Sequence, residues 1–314
     1  MWKSGIAALV AATAAFSTPG FAQPDTFEQG MNTLWEVLWH QSGTATRVVR
    51  WEQDIQVRVS GVNLPAHKEH VLKALRDVAA EAGVKVTDVS DEPDATANVN
   101  IEITPDDQLS AQQPCETRLV FATETKIDAV HSRMREGEEW RCAYHESMHM
   151  MGVRGHPEGA TVLSYFTRQV EGLMPLDKAM LHAWYSPRAH GGMTPFEMLP
   201  ILADEMVAIM PNQQKAKQSR DRFLARTVQE MEAFANGQGD VPMIVKLCGK
   251  STGDGIRYGR MEMSYFLGIA YLDGVSVPKD ETYAAQWLQR AATLGSRSAQ
   301  ARLGAAGFTA ATKG

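Results

Sequence analysis

The stretch running Cys142-Ala-Tyr-His-Glu-Ser-Met-His-Met-Met-Gly-Val-Arg-Gly-His156 constrains the chain more than any other. It holds His145, Glu146 and His149 in the order His-Glu-x-x-His, closed by Gly152 and followed by His156. On a helix, His145 and His149 stand one turn apart and share a face. Two imidazoles so placed can grip one Zn2+ at roughly 2.0–2.1 Å. Glu146 then sits beside the ion, placed to take a proton from water rather than to bind metal itself. The rest of the fold has to deliver a helix over about 138–151 and open its polar face to a cleft.

The first 22 residues have a different character. Lys3 precedes an apolar run from Ile6 to Phe16, then Pro19-Gly20 and Phe21-Ala22. A charged start, a short apolar centre and a small residue before the break are the marks of a secretory signal. The mature chain is expected to begin near Gln23, in the periplasm or outside the cell, with a retained N-terminal anchor as the alternative. The apolar run is short for a membrane span, and none is expected after signal removal. A net charge of -6 gives no electrostatic reason to expect nucleic acid as a partner.

Export bears on Cys115, Cys142 and Cys248. In an oxidising compartment two should pair, and Cys115 with Cys142 is the expected bridge because both flank the segment leading into the histidine helix. The alternative is buried thiols without a bridge.

Apolar spacing predicts a helix over 27–40 and a strand at Ile55, Val57 and Val59. A helix from Pro65 closes at Gly83. Further strands follow at 84–89, 97–103, 119–125 and 126–132, and only then the histidine helix. Beyond it, helices are expected over 175–185 and 196–210. A connecting helix should occupy 212–236, with a boundary at Asn236-Gly-Gln-Gly-Asp240.

The tail carries a repeat. Leu267-Gly268 recurs as Leu303-Gly304, and Ala270 as Ala306. Between them lie Tyr271-Leu-Asp-Gly274 and Val277-Pro-Lys-Asp280, which make two helices joined by a Gly/Pro turn, with a period in the solenoid range. Such a unit needs neighbours to bury its faces, so it should lean on the helices before it.

Residues 261–306 resemble a Sel1-like repeat, related to tetratricopeptide repeats. That resemblance implies a protein-interaction module without chemistry of its own. Residues 145–165 resemble the metzincin zinc peptidases, whose motif is His-Glu-x-x-His-x-x-Gly-x-x-His with a later methionine turn. His145, Glu146, His149 and Gly152 match that motif. The family's third ligand falls on Gly155 here, so His156 arrives one residue late. Thr161-Val-Leu-Ser-Tyr165 resembles the methionine turn, with Leu163 in place of Met and Tyr165 where some members carry a tyrosine near the metal. The strand, helix, strands order is also similar to the metzincin N-terminal subdomain. A stretch after the motif resembles an uncharacterised bacterial family of secreted proteins.

The resemblances imply an α+β fold: a metzincin-like domain of mixed sheet plus active-site helix, then an all-α Sel1-like module. The expected division is 1–22 signal peptide, 23–210 zinc peptidase domain, 211–240 connecting helix and 241–314 repeat module. The expected ligands of one Zn2+ are His145, His149 and His156, with Glu146 and Tyr165 as catalytic groups. Glu158 is an alternative third ligand, and Glu171 a remoter one by analogy with zinc peptidases that use a later glutamate. The expected activity is that of an exported zinc metalloendopeptidase acting on a peptide or protein substrate, with a possible protein partner on residues 241–314. Two alternatives stand beside it: an inactive envelope scaffold working through its repeats, and metal-dependent hydrolysis of another bond. His67, His70 and His131 are expected to be surface or structural residues, and the many methionines to be packing.

Overall fold

The computed structural model describes residues 26–39, 47–165, 167, 171–241 and 253–305. The expected signal segment, Cys248 and Ala306 lie outside the described residues.

The chain opens with α1 (Phe27–Trp39), then β1 (Ile55–Gly61), α2 (Leu64–Glu81), β2 (Val86–Asp88) and β3 (Val99–Thr104). Next come β4 (Cys115–Thr123), β5 (Lys126–Arg135), a 3-10 turn over Glu136–Glu138 and α3 (Glu139–Met150). Strand order in the sheet is β2-β1-β3-β5-β4. β1, β2, β3 and β5 are parallel, and β4 runs antiparallel on the outer edge.

Every second residue of β1 and β3 is buried, namely Ile55, Val57, Val59, Val99, Ile101 and Ile103. That alternation matches a sheet covered on one face. The cover is α2 and α3, which pack on each other and on the strands. α2 contributes Val71, Leu72, Leu75 and Val78, all buried, where its period put them. The result is a mixed sheet with helices on one side.

β4 departs from its expected span. It begins at Cys115, and β5 runs on to Arg135. The added residues 115–118 are Cys-Glu-Thr-Arg, half-exposed on the sheet's edge, so no apolar alternation marks them. The pairing is bulged between Val120 and Thr123. Cys115 and Cys142 are joined, with Cα atoms 6.0 Å apart. The bridge ties the start of β4 to α3 three residues before His145. Closing a loop of this length stabilises by roughly 3 kcal/mol in the chain-entropy account.

A helical layer follows: α4 (Pro175–Tyr185), α5 (Pro195–Ile209), α6 (Gln213–Ala235), α7 (Gly253–Asp273), α8 (Glu281–Thr293) and α9 (Arg297–Ala305). α6 is more than a connector. Phe223, Val228, Met231 and Phe234 are buried, and the helix packs on α1, α5 and α7. The repeat hairpin α7–α8 leans on the same layer, as its need for a neighbour requires. Phe196 of α5 meets Trp35 of α1 edge-on at 6.1 Å and Phe266 of α7 at 6.2 Å. Arg47 donates to the Tyr265 hydroxyl at 3.1 Å, and Ser276 to the Phe196 carbonyl at 3.1 Å. No helix among the described residues is long and apolar enough to cross a membrane.

Candidate metal centre

α3 lies between β4 and a loop over 161–165, and a cleft of about 500 Å³ opens along it. His145, Glu146, His149, His156 and Tyr165 all line that cleft. The Nε2 atoms of His145 and His149 are 3.0 Å apart, and those of His149 and His156 are 3.1 Å apart. The nitrogens of all three lie within 4.8 Å of one another.

The outer nitrogens say which way the protons point. Nδ1 of His149 is 2.7 Å from the Val153 carbonyl, and Nδ1 of His145 is 3.0 Å from the Val162 carbonyl. A carbonyl can only accept, so both Nδ1 atoms carry a proton and donate. Burial pushes both imidazoles down to about 4, with the His149 ring adding to the effect on His145. At neutral pH each therefore presents a bare Nε2 lone pair to the same point. Lone pairs converging without a proton between them repel, and a cation at their centre removes the conflict. Nitrogens at about 2.0–2.1 Å from a tetrahedral ion sit about 3.3–3.4 Å apart, close to the His145–His149 and His149–His156 spacings. The donor set suits zinc, and the carbonyl partners are the kind that fix ligand rings.

Glu146 is 3% exposed, and its Oε1 is 4.0 Å from His145 Nε2. Burial raises its carboxyl above the ordinary range, opposed by the nearby His145 and by a hydrogen bond with Thr117. Its Oε2 is buried with no hydrogen-bond partner among the described residues. An unsatisfied buried carboxylate oxygen is costly, and its residue lines the cleft.

The turns after α3 explain how His156 reaches the cluster. Gly152 has φ +87°, and a Cβ there would stand 2.2 Å from the Val49 carbonyl oxygen. The chain thus leaves the helix pressed against the strand-like segment before β1. Trp51 Nε1 donates to the Met150 carbonyl at 2.8 Å, and the Tyr185 hydroxyl to that of Met151 at 3.0 Å. These donors satisfy carbonyls left open at the helix end. Gly155, at the expected third-ligand position, is packed on α1. A Cβ there would be 2.7 Å from Val37 Cα.

Tyr165 stacks on the His156 ring, centroids 4.4 Å apart at 11°. It is 68% exposed, so it is not a core aromatic. Its phenol is raised by burial and by Glu146, and so remains a donor at neutral pH. The two carboxylate alternatives lie elsewhere. Glu158 is exposed, its amide donating to Glu36 at 3.2 Å and its carbonyl accepting from Thr33. Glu171 is also exposed, and neither lines the cleft. His67 and His70 meet Glu139 at the start of α3, at 3.1 and 2.6 Å, a structural role. His131 is exposed on β5.

One residue in the site carried no functional signal in the sequence. Asp177, which read only as part of a helix start, is fully buried and accepts from the amides of Met174 at 2.9 Å and Val162 at 3.1 Å. It also accepts from the Thr161 hydroxyl, whose oxygen in turn accepts from the Leu163 amide at 3.1 Å. That amide and the Val162 carbonyl belong to one peptide unit, and the carbonyl holds His145. Asp177 is therefore a positioning residue acting through Thr161 and Val162. Its Asn variant should lose metal affinity by roughly 10–100-fold, the usual cost of removing a partner that orients a ligand. Burial lifts the Asp177 carboxyl to about 6. The fold thus holds a proton there more tightly than the unfolded chain, and stability falls as pH rises from about 4 to 6. The thermal midpoint of wild type relative to that of Asp177→Asn should therefore fall as pH rises across that range.

Residues 262–296, spanning most of the α7–α8 hairpin, match the Sel1 repeat family. Searches of curated proteins and of solved structures give no match. A Sel1 repeat implies protein interaction for residues 262–296.

Proposed function

We propose that the chain is an exported zinc-dependent metallopeptidase whose Sel1 repeat engages a protein partner. The observation that carries this reading is the meeting of His145, His149 and His156 Nε2 atoms beside a buried, half-satisfied Glu146. His145, His149 and His156 would hold the metal. When bound, zinc supplies Lewis acidity, which makes water a nucleophile near neutral pH and polarises a carbonyl. Glu146 takes the proton of the attacking water on its carboxylate, which has an unused acceptor in Oε2, and later delivers it to the leaving nitrogen. Its raised affinity for a proton suits that exchange. The Tyr165 hydroxyl donates to the oxygen that gains charge.

The outer edge of β4 supports a peptide as substrate. Among the described residues β4 is the last strand of the sheet, paired only on its β5 side, and Cys115, Glu116 and Thr117 line the cleft. An extended chain can add to such an edge through main-chain hydrogen bonds. The Cys115–Cys142 bridge fits an oxidising compartment.

Purified protein is expected to carry close to one zinc per chain and to cleave an unfolded protein substrate. Chelation should abolish cleavage and added zinc restore it. The Sel1 repeat favours a second reading, an inactive scaffold. That reading predicts a stable complex through residues 241–314 and no cleavage with zinc bound.

A further inference from the structure

Arg141 stands one helical turn before His145 on α3 and lines the same cleft. Four residues of helix place it about 6 Å along the axis from the cluster. Among the described lining residues it is the only lysine or arginine. Its described charge partner is Glu138, with Nη1 to Oε2 at 3.7 Å, longer than a hydrogen bond. The other acid at this end, Glu116, is committed to Arg133 of β5 at 3.2 Å. Arg133 also reaches Glu102 at 3.4 Å and Gln108 at 3.0 Å. The wall around Arg141 is polar, formed by Gln112, Gln113 and Thr117, with Pro114 and the disulfide as its apolar part. It offers little to a large apolar side chain.

We infer that Arg141 is a specificity-determining residue that binds a substrate carboxylate next to the scissile bond, so the enzyme favours cleavage beside Asp or Glu. This rests on the peptidase reading above. A residue of extended chain advances about 3.3 Å, so the side chain flanking the reacting carbonyl can span the remaining distance to the guanidinium. The planar guanidinium suits a carboxylate, which it can grip through two parallel hydrogen bonds. A C-terminal carboxylate carries the same chemistry, and the test separates the two sources.

Internally quenched peptides would carry Glu or Gln on either side of the cleavage point, each as free acid and as C-terminal amide. Wild type should cleave the Glu peptides at least about tenfold better in kcat/KM, mainly through KM, as expected for a charge-assisted contact. Preference tied to the free C-terminus instead would assign the carboxylate to the chain end and overturn the side-chain assignment. Arg141→Met, which keeps the stem, should erase the preference with zinc content unchanged, and Arg141→Glu should turn it toward Lys. Equal cleavage of Glu and Gln peptides by wild type, or a preference retained in Arg141→Glu, would overturn the inference. Calorimetric binding of the same peptides to Glu146→Gln gives a readout independent of turnover. If no peptide is cleaved, yet the Glu peptide binds tenfold tighter and Arg141→Met removes the difference, the carboxylate site stands and the peptidase reading fails. If binding shows no difference either, both fail.

Discussion

Glu146→Gln is expected to lower kcat/KM for peptide cleavage by roughly 10²–10⁴-fold while leaving zinc near one per chain. The size is that of losing a positioned proton-transfer group. The retained metal follows from the geometry, since His145, His149 and His156 supply the converging nitrogens and Glu146 Oε1 lies 4.0 Å from His145 Nε2. The amide is nearly isosteric, so the packing beside Thr117 survives. It is also neutral, which removes the burial cost that raises the wild-type carboxyl. The metal-free variant should therefore melt no lower than metal-free wild type by calorimetry. Full activity in this variant would sink the proton-transfer role. Loss of zinc would instead make Glu146 a ligand.

The parts of the fold that follow a period were legible from residue order alone. β1, α2 and β3 each bury one face, and their apolar residues recur at 2.0 or 3.6. The edge strand was legible only in its apolar half, because Cys115 to Arg118 face cleft and solvent and obey no burial pattern. In the site, the residues of one helix and one loop could be named from spacing. Asp177 could not, because its role depends on a fold-back that brings the start of α4 under the 161–163 turn. A buried aspartate at the third position of a helix looks the same whether it caps that helix alone or also steadies a neighbouring loop. Arg141 is marked by spacing alone: it lies four residues before His145 and so shares its helix face.

The one-residue offset of the third histidine has a physical cause, and it carries the second large prediction. With the usual spacing the ligand would sit at position 155. In this chain that position is pressed on the backbone of α1, 2.7 Å from Val37 Cα to an added Cβ, and only glycine fits. The extra residue is taken up in the turn, and His156 turns back to place its Nε2 3.1 Å from that of His149 under the Tyr165 ring. His156→Ala should thus lower zinc affinity by more than 100-fold, since even losing a ligand's hydrogen-bond partner costs roughly 10–100-fold. Glu158→Ala should change it by less than about threefold, because that carboxylate is exposed beside α1 rather than in the cleft. Competition against a chromophoric chelator reads both affinities at one pH. The reverse ranking would mean that the 153–160 loop carries its carboxylate to the metal and that the histidine cluster is not the zinc site. Equal, small effects would leave His145 and His149 as a two-residue site, too weak to hold catalytic zinc.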